Sequence, residues 1–142
     1  MKAIVYSALK NETLLLIHAN NKRHVLTFVS NALDLSTIKF SIGKSVIIIS
    51  TRDTVNAQFL QILWEQGIRK IITRSKDTSH IDLVQAAILG IKIANNPTED
   101  QSDENTVIQT LKSLDDWENG HCLEKACCSI EKCNNRNTEN NS

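Results

Sequence analysis

Five short segments rich in β-branched residues, separated by stretches with helical spacing, constrain the fold of this chain more than any other feature. The segments lie at Ala3–Ser7, Val25–Ser30, Val46–Ser50, Lys70–Arg74 and Ile91–Asn95. Each is a continuous apolar run without an alternating polar face, which is typical of strands that helices cover on both sides. The sequence therefore predicts a parallel sheet.

The stretches between these strands predict helices. One begins at a cap, Asn11, a short helical turn covers Ser36–Ile42, and Asn56 caps the next helix. Ser79 is expected to cap a further helix, with Asp82 answering it at the third helical position. The residues expected on inner faces are Leu14, Leu15, Ile17, Phe59, Leu60, Leu63, Trp64, Val84, Ala87 and Ile88. This alternation predicts a right-handed, doubly wound α/β fold with strand order 2-1-3-4-5.

A last helix is expected from about Ser102 to Asn119 and would complete a domain spanning residues 1–119. Its apolar stripe should pack on the sheet and consists of Val107, Ile108, Leu111, Leu114 and Trp117. A Cys-rich segment at 120–133 and a polar end at 134–142 follow. The polar end has nothing to bury and is expected to be disordered.

The net charge is zero, yet the charges are unevenly distributed along the chain. Residues 1–97 hold twelve Lys/Arg and six Asp/Glu, whereas residues 98–142 hold four and ten. Such a split predicts that the acidic part packs on the basic part or meets a protein partner or a second copy. No dense Lys/Arg stripe with interleaved aromatics is present, so nucleic acid is not an expected partner.

A membrane location is not expected either. No apolar run approaches the roughly 18 to 20 residues that a bilayer span needs. The opening Met1–Ser7 is interpreted as a buried strand and not as a signal peptide, so the expected location is cytoplasmic.

The histidines and tryptophans have structural interpretations. His18 is expected to pack half-buried on a helix face, His24 to lie in a solvated turn, and His80 to start a helix without binding a ligand. Trp64 and Trp117 fit inner helix faces and are expected in the core.

The stretch ending at Pro97 resembles a known family. It contains Ile72-Thr73-Arg74-Ser75, Thr78-Ser79-His80-Ile81-Asp82, Ala86-Ala87 and Leu89-Gly90-Ile91-Lys92-Ile93-Ala94-Asn95-Asn96-Pro97. This pattern looks like the D-2-hydroxyacid dehydrogenases, above all the D-lactate dehydrogenases. Met1–Ser7 and Thr51-Arg52-Asp53 also fit, so the resemblance covers about residues 1–97 and the first part of that family's substrate-binding domain. It implies a flavodoxin-like three-layer sandwich and NAD-dependent oxidoreductase chemistry.

The loops that touch the substrate in that family differ in this chain. After strand four the family has a small residue, any residue and then a glycine, whose backbone N–H groups hold the substrate carboxylate. This chain has Ser75-Lys76-Asp77, with Asp77 in the place of the glycine. After Pro97, Glu99 stands where the family has an aromatic residue. Arg74 and Ser75, at the crevice edge, are the best remaining candidates for contacting a small anion, and the substrate site is interpreted as degenerate.

The family's nucleotide-binding machinery has no counterpart in this chain. The glycines are more than twenty residues apart, so no GxGxxG fingerprint exists, and no residue matches the catalytic arginine, carboxylate or histidine of the family. No catalytic residue is therefore assigned, and the chain alone is not expected to bind NAD.

All cysteines lie near the end of the chain, at Cys122, Cys127, Cys128 and Cys133. The spacing C-x4-C-C-x4-C lacks a CxxC, but four thiolates match the donor number of a zinc site or an iron–sulfur cluster. Redox-active or structural disulfides, and thiols without a defined role, are the alternatives.

Three hypotheses about function remain open. The first is a stand-alone, catalytically inactive protein of the D-2-hydroxyacid dehydrogenase substrate-domain type that acts by binding and carries a metal, cluster or redox tail. The second is one part of an NAD-dependent oxidoreductase whose nucleotide-binding chain is a separate partner. The third is a small metal or redox carrier in which the α/β body supports the cysteines.

Overall fold

A computed structural model describes residues 1–120 and shows five parallel strands alternating with helices. The strands are β1 (Lys2–Val5), β2 (Val25–Phe28), β3 (Val46–Ile49), β4 (Lys70–Thr73) and β5 (Lys92–Ala94). The helices are α1 (Lys10–Asn20), α2 (Ala57–Glu65), α3 (Leu83–Leu89) and α4 (Asp103–Glu118), with a 3₁₀ turn at Ile38–Ser41. The sheet order is β2-β1-β3-β4-β5 and every pair is parallel, which confirms the flavodoxin-like α/β fold.

The sheet divides the apolar core into two layers. On β3, Ile47 and Ile49 face the layer that contains α2 and α3, whereas Val46 and Ile48 face the layer that contains α1 and α4. All four side chains are fully buried. Each such side chain contributes about 1.5–3 kcal/mol when it leaves water, so a continuous apolar strand is stable only with helices on both sides.

Two helices, α2 and α4, start where the sequence predicts, and each start has a side-chain cap. The Asn56 side chain accepts a hydrogen bond from the Phe59 N–H at the start of α2, at 2.9 Å. The Ser102 side chain accepts from the Asn105 N–H at the start of α4, at 3.2 Å. Both caps satisfy backbone donors that a helix leaves unpaired at its N-terminus.

The predicted caps of α1 and α3 are wrong. Asn11 lies inside α1, which begins one residue earlier. Asp82, and not Ser79, caps α3 by accepting from the Gln85 N–H at 3.0 Å. Ser79 instead donates from its hydroxyl to the Asp77 carboxylate at 2.7 Å. Its segment bridges to the β3–α2 loop, so the helix starts only after Asp82.

The predicted inner face of α3 is also wrong. Val84, Ala87 and Ile88 point outward, and Ala86 is the one fully buried residue of the helix. Ala86 belongs to the core layer that contains α2 and α3. Leu89 is partly buried and packs against the core, whereas Leu83, Val84 and Ile88 lie on the exposed side of the helix.

Several other predicted core positions are exposed. Trp64 is 37% exposed and stacks against the Arg69 guanidinium, 4.4 Å from the ring centre. Leu14, Ile17 and Ile108 are more than half exposed, and His18 is exposed as well. Trp117 is buried as predicted.

The acidic side chains at the end of α4 form ion pairs with groups in the basic part of the chain. Asp115 binds the Arg23 guanidinium at 2.6 Å and the His24 ring at 2.7 Å. Glu118 lies 3.3 Å from the N-terminal amine. The prediction of a solvated His24 is wrong, because its side chain is fully buried and contacts Asp115. Within residues 1–120, the acidic end of α4 therefore packs on the basic part of the same chain.

Two further predicted segments follow the last described residue, Gly120. The predictions for 121–133, which contains all four cysteines, and for 134–142 lie outside the described residues. Among residues 1–120, none of the helices is long and apolar enough to cross a bilayer.

Candidate functional site

In doubly wound sheets, ligands bind at the carboxyl ends of the strands, next to the point where the strand order reverses. In this chain that point lies between β1 and β3. At this point the Ser7 hydroxyl donates to the fully buried Asp53 carboxylate at 2.7 Å. Asp53 also accepts from the backbone N–H groups of Leu33 and Ser50, each at 2.9 Å. Its oxygens are thus engaged by the loops after β1, β2 and β3, and the carboxylate holds these loops together.

Arg74 leaves β4 at the same edge, and its guanidinium points into the protein. Its side chain is 1% exposed and forms an ion pair with Glu12 of α1. The guanidinium also donates to the carbonyls of Tyr6 and Ile49. Burial lowers the pKa of the Arg74 guanidinium, and the attraction of Glu12 opposes that effect. Arg74 therefore joins β1, β3, β4 and α1, and its donors face the protein.

Ser75 follows Arg74 and uses its hydroxyl within its own loop. The hydroxyl donates to the Asp77 carbonyl at 2.8 Å and lies 2.7 Å from the Thr73 hydroxyl. Both candidates for contacting an anion, Arg74 and Ser75, are thus bound to protein groups.

Arg52 is a candidate that the sequence analysis did not single out. Its side chain is 47% exposed, one guanidinium nitrogen donates to the Ser7 carbonyl at 2.7 Å, and Glu12 lies 4.0 Å away. The residue is part of Thr51-Arg52-Asp53, but nothing in that motif indicates which of its side chains faces solvent. Only the fold shows that Asp53 points inward and that Arg52 lies at the surface of the crevice.

The loops after β4 and β5, which contain the predicted substrate positions, are bonded to each other. The Lys76 N–H donates to the side-chain oxygen of Gln101 at 3.0 Å. The Gln101 amide nitrogen donates to the carbonyls of Asn96 and Thr98, at 3.1 and 2.8 Å. One backbone donor of the loop after β4 is consequently occupied by a side chain of this protein.

Further contacts close the same pair of loops. The Asn95 side chain donates to the Lys76 carbonyl at 2.9 Å, and the Asn96 N–H donates to the Ser75 carbonyl at 3.0 Å. The Lys76 ammonium pairs with the Glu99 carboxylate, so it does not turn towards Asp77. These bonds join the two loops along most of their length.

The two acidic side chains predicted at the site are exposed. The side chain of Glu99 is 91% exposed and that of Asp77 is 60% exposed. The Ser79 hydroxyl and N–H both donate to Asp77 and hold the pKa of its carboxyl below its usual value. Asp77 is therefore a carboxylate at neutral pH, where the family has a glycine.

His80 is buried beside this loop. Its Nε2 lies 2.9 Å from the Thr73 hydroxyl, and its Nδ1 lies 3.8 Å from the Asp77 carboxylate. The buried Nδ1 has no hydrogen-bond partner among residues 1–120. The ring links β4 to the turn before α3 through Thr73.

Within residues 1–120, no group of three or more His, Cys, Asp and Glu side chains is arranged to hold a metal ion. The predicted ligands Cys122, Cys127, Cys128 and Cys133 lie outside this part of the chain.

The chain is similar to D-lactate dehydrogenases in sequence and in structure. No family model matches the chain. The D-lactate dehydrogenase kk1H of Curvularia clavata is 30% identical over 73 residues, which are 51% of this chain and 21% of that protein. The apo-structure of D-lactate dehydrogenase from Escherichia coli has 28% identity and a TM-score of 0.68, covering 70% of this chain and 32% of that chain.

A second solved structure agrees with the first. Salmonella D-lactate dehydrogenase has 26% identity and a TM-score of 0.66, covering 69% of this chain and 30% of that chain. The chain thus spans between a fifth and a third of the length of these relatives.

Proposed function

Because the chain matches a partial domain of the D-lactate and D-2-hydroxyacid dehydrogenases, we propose that it is a substrate-domain-like module that acts by binding and not by hydride transfer. The observation that carries this proposal is the closed pair of loops after β4 and β5. The Lys76 N–H, at the position where the family binds a carboxylate, is bonded to Gln101.

Electrostatics supports the same proposal. A 2-hydroxy acid or 2-oxo acid would bring its own carboxylate next to Asp77, whose low pKa keeps it ionised. Like charges at close range disfavour binding, and the nearby Lys76 ammonium is already paired with Glu99. A substrate would have to displace a hydrogen bond and accept an unfavourable charge.

The residues of this chain do not fit an NAD cradle either. Such a cradle needs closely spaced glycines between a strand and a helix, so that the backbone can approach the pyrophosphate. The four glycines of this chain lie one or two residues after helical segments, each with a positive φ, and help to end them.

The test is an assay of pyruvate reduction with NADH, combined with titration of the carboxylate oxamate monitored by amide NMR. We expect no turnover above background and no oxamate-dependent shifts at Lys76 or Asp77. The double variant Asp77→Gly/Gln101→Ala should acquire weak oxamate binding, and Glu65→Gln, a charge change on α2 distant from these loops, serves as the control. Turnover by the unmodified protein would refute the proposal.

A second candidate function rests on the partial coverage of the relatives. Because the chain spans about a third of the solved dehydrogenases, a separate nucleotide-binding chain could complete the enzyme. Co-purification with such a chain and NADH-dependent turnover by the mixture would support this candidate. Mixtures that bind no NADH would remove it.

We further propose that the cysteine segment is a metal, cluster or redox element, because its four thiols provide the donor number of a tetrahedral zinc site or an iron–sulfur cluster. Anaerobic purification followed by metal and sulfide analysis tests this. Zinc, or iron with sulfide, in amounts that replacement of all four cysteines by serine abolishes would support a metal or cluster site. Free thiols without metal under both reducing and oxidising conditions would contradict the proposal.

A further inference from the structure

The outward face of α3 is apolar, although the face opposite the core is polar in most surface helices. The helix LVQAAIL contains no charged residue. Leu83, Val84 and Ile88 are 46%, 72% and 70% exposed, and Ala87 is exposed between them. A helix that is apolar all round is normally covered on both sides, so this face indicates a docking surface.

The charges at the two ends of α3 make this face complementary to itself. Asp82 places an exposed carboxylate at the N-terminal end. Arg69 lies near the C-terminal end of α3. Its carbonyl accepts from the N–H of Lys92, which comes three residues after the end of the helix. The exposed Arg69 guanidinium stacks on Trp64 of the neighbouring helix α2. A carboxylate therefore lies at one end of the apolar face, and near its other end lies the Arg69 guanidinium, which the Trp64 carbonyl holds against α2.

We propose that α3 forms a two-fold symmetric contact between two copies of this chain. In an antiparallel arrangement, Val84 of one copy meets Ile88 of the other, and Asp82 of each copy lies near Arg69 of its partner. The antiparallel arrangement also opposes the two helix dipoles. The charge pattern thus favours a second copy as the occupant of this face.

Other occupants fit this face less well. A helix that lies on a membrane carries Lys or Arg beside its apolar face, and α3 has none.

The size of the face determines how strong the contact is. A helix of seven residues is about 10 Å long. The patch is therefore smaller than the roughly 800 Å² per partner of a standard stable interface. The dimer is weak and depends on protein concentration.

Sedimentation equilibrium of the full chain, under reducing conditions and from low micromolar to millimolar concentration, tests this contact. We expect reversible dimerisation, weakened about tenfold or more by Val84→Glu/Ile88→Glu, because the like charges would meet across the two-fold axis. Arg69→Glu should weaken it as well. The matched control is Ile17→Glu, since Ile17 is a 53% exposed apolar residue on α1.

Circular dichroism of each variant establishes that its fold is intact. A monomeric unmodified protein at every concentration would overturn the proposal. Dimerisation of a folded Val84→Glu/Ile88→Glu variant with unchanged strength would overturn it too.

Discussion

Replacing Arg74 with methionine should destabilise the domain by about 3–5 kcal/mol, the usual cost of removing one partner of a buried ion pair. The Arg74 side chain is 1% exposed, and its partner Glu12 is 13% exposed. Methionine resembles the aliphatic part of the arginine side chain but cannot compensate the Glu12 carboxylate. The carbonyls of Tyr6 and Ile49 would also lose a donor. Because these losses share one guanidinium, their costs overlap and are not summed.

A double-mutant cycle separates the ion pair from the packing of the side chain. Glu12→Gln removes the negative charge and keeps an acceptor, so it should cost less than Arg74→Met. The double variant should be more stable than the sum of the single effects predicts, by about 1–3 kcal/mol. Urea denaturation followed by circular dichroism measures all three free energies of unfolding.

Arg52→Met is the matched control, because its guanidinium lies at the same edge of the sheet but is about half exposed. It should cost about 0.5 kcal/mol or somewhat more. Equal effects of the two substitutions would refute the reasoning that Arg74 is committed to the scaffold. Retained stability with loss of anion binding in Arg74→Met would make Arg74 a ligand-binding residue instead.

Three further predictions concern other contacts of the fold. Asp115→Asn should lower the free energy of unfolding in urea by about 1–3 kcal/mol, because the carboxylate binds the buried His24 ring; an unchanged midpoint would contradict this anchor of α4. Gln101→Ala should speed hydrogen exchange of the Lys76 amide about tenfold or more, measured by NMR; equal rates would mean that the bond is not protective. Burial raises the pKa of Tyr6 to about 12, so the folded state retains a proton that the unfolded state loses from pH 10 upward. Stability should therefore fall as pH rises towards 12. The midpoint of thermal unfolding, measured against pH, should show this fall, and Tyr6→Phe should reduce it.

The strand positions could be predicted from the sequence because they depend on local pattern. The run Val46–Ser50 is apolar at nearly every position, and the observed strand differs from it by one residue. The caps at Asn56 and Ser102 were equally predictable, since each bonds to a backbone N–H only three residues away. The start of α3 was not predictable, because the bridge between Val55 and Ile81 joins segments that are distant in sequence.

The sequence indicated which two loops to examine as a candidate site, but not how those loops are bonded. The family pattern identified the loop with Asp77 and the position of Glu99. It did not indicate that Gln101 would bond to the Lys76 N–H, because that contact depends on how two loops after neighbouring strands lie side by side. The role of Arg74 depends on Glu12, which is 62 residues away along the chain.

By itself, the sequence determined the class of fold, the strand order and the resemblance to one enzyme family. Each of these depends on the order and hydrophobicity of neighbouring residues, and the hydrophobic effect acts on that pattern in any context. The tertiary structure alone decided which polar groups remain available. It buried His24 and Arg74, closed the loops after β4 and β5, and turned Val84 and Ile88 outward. Hydrogen bonds and ion pairs are short-range and directional, so their partners are settled only when distant segments pack together.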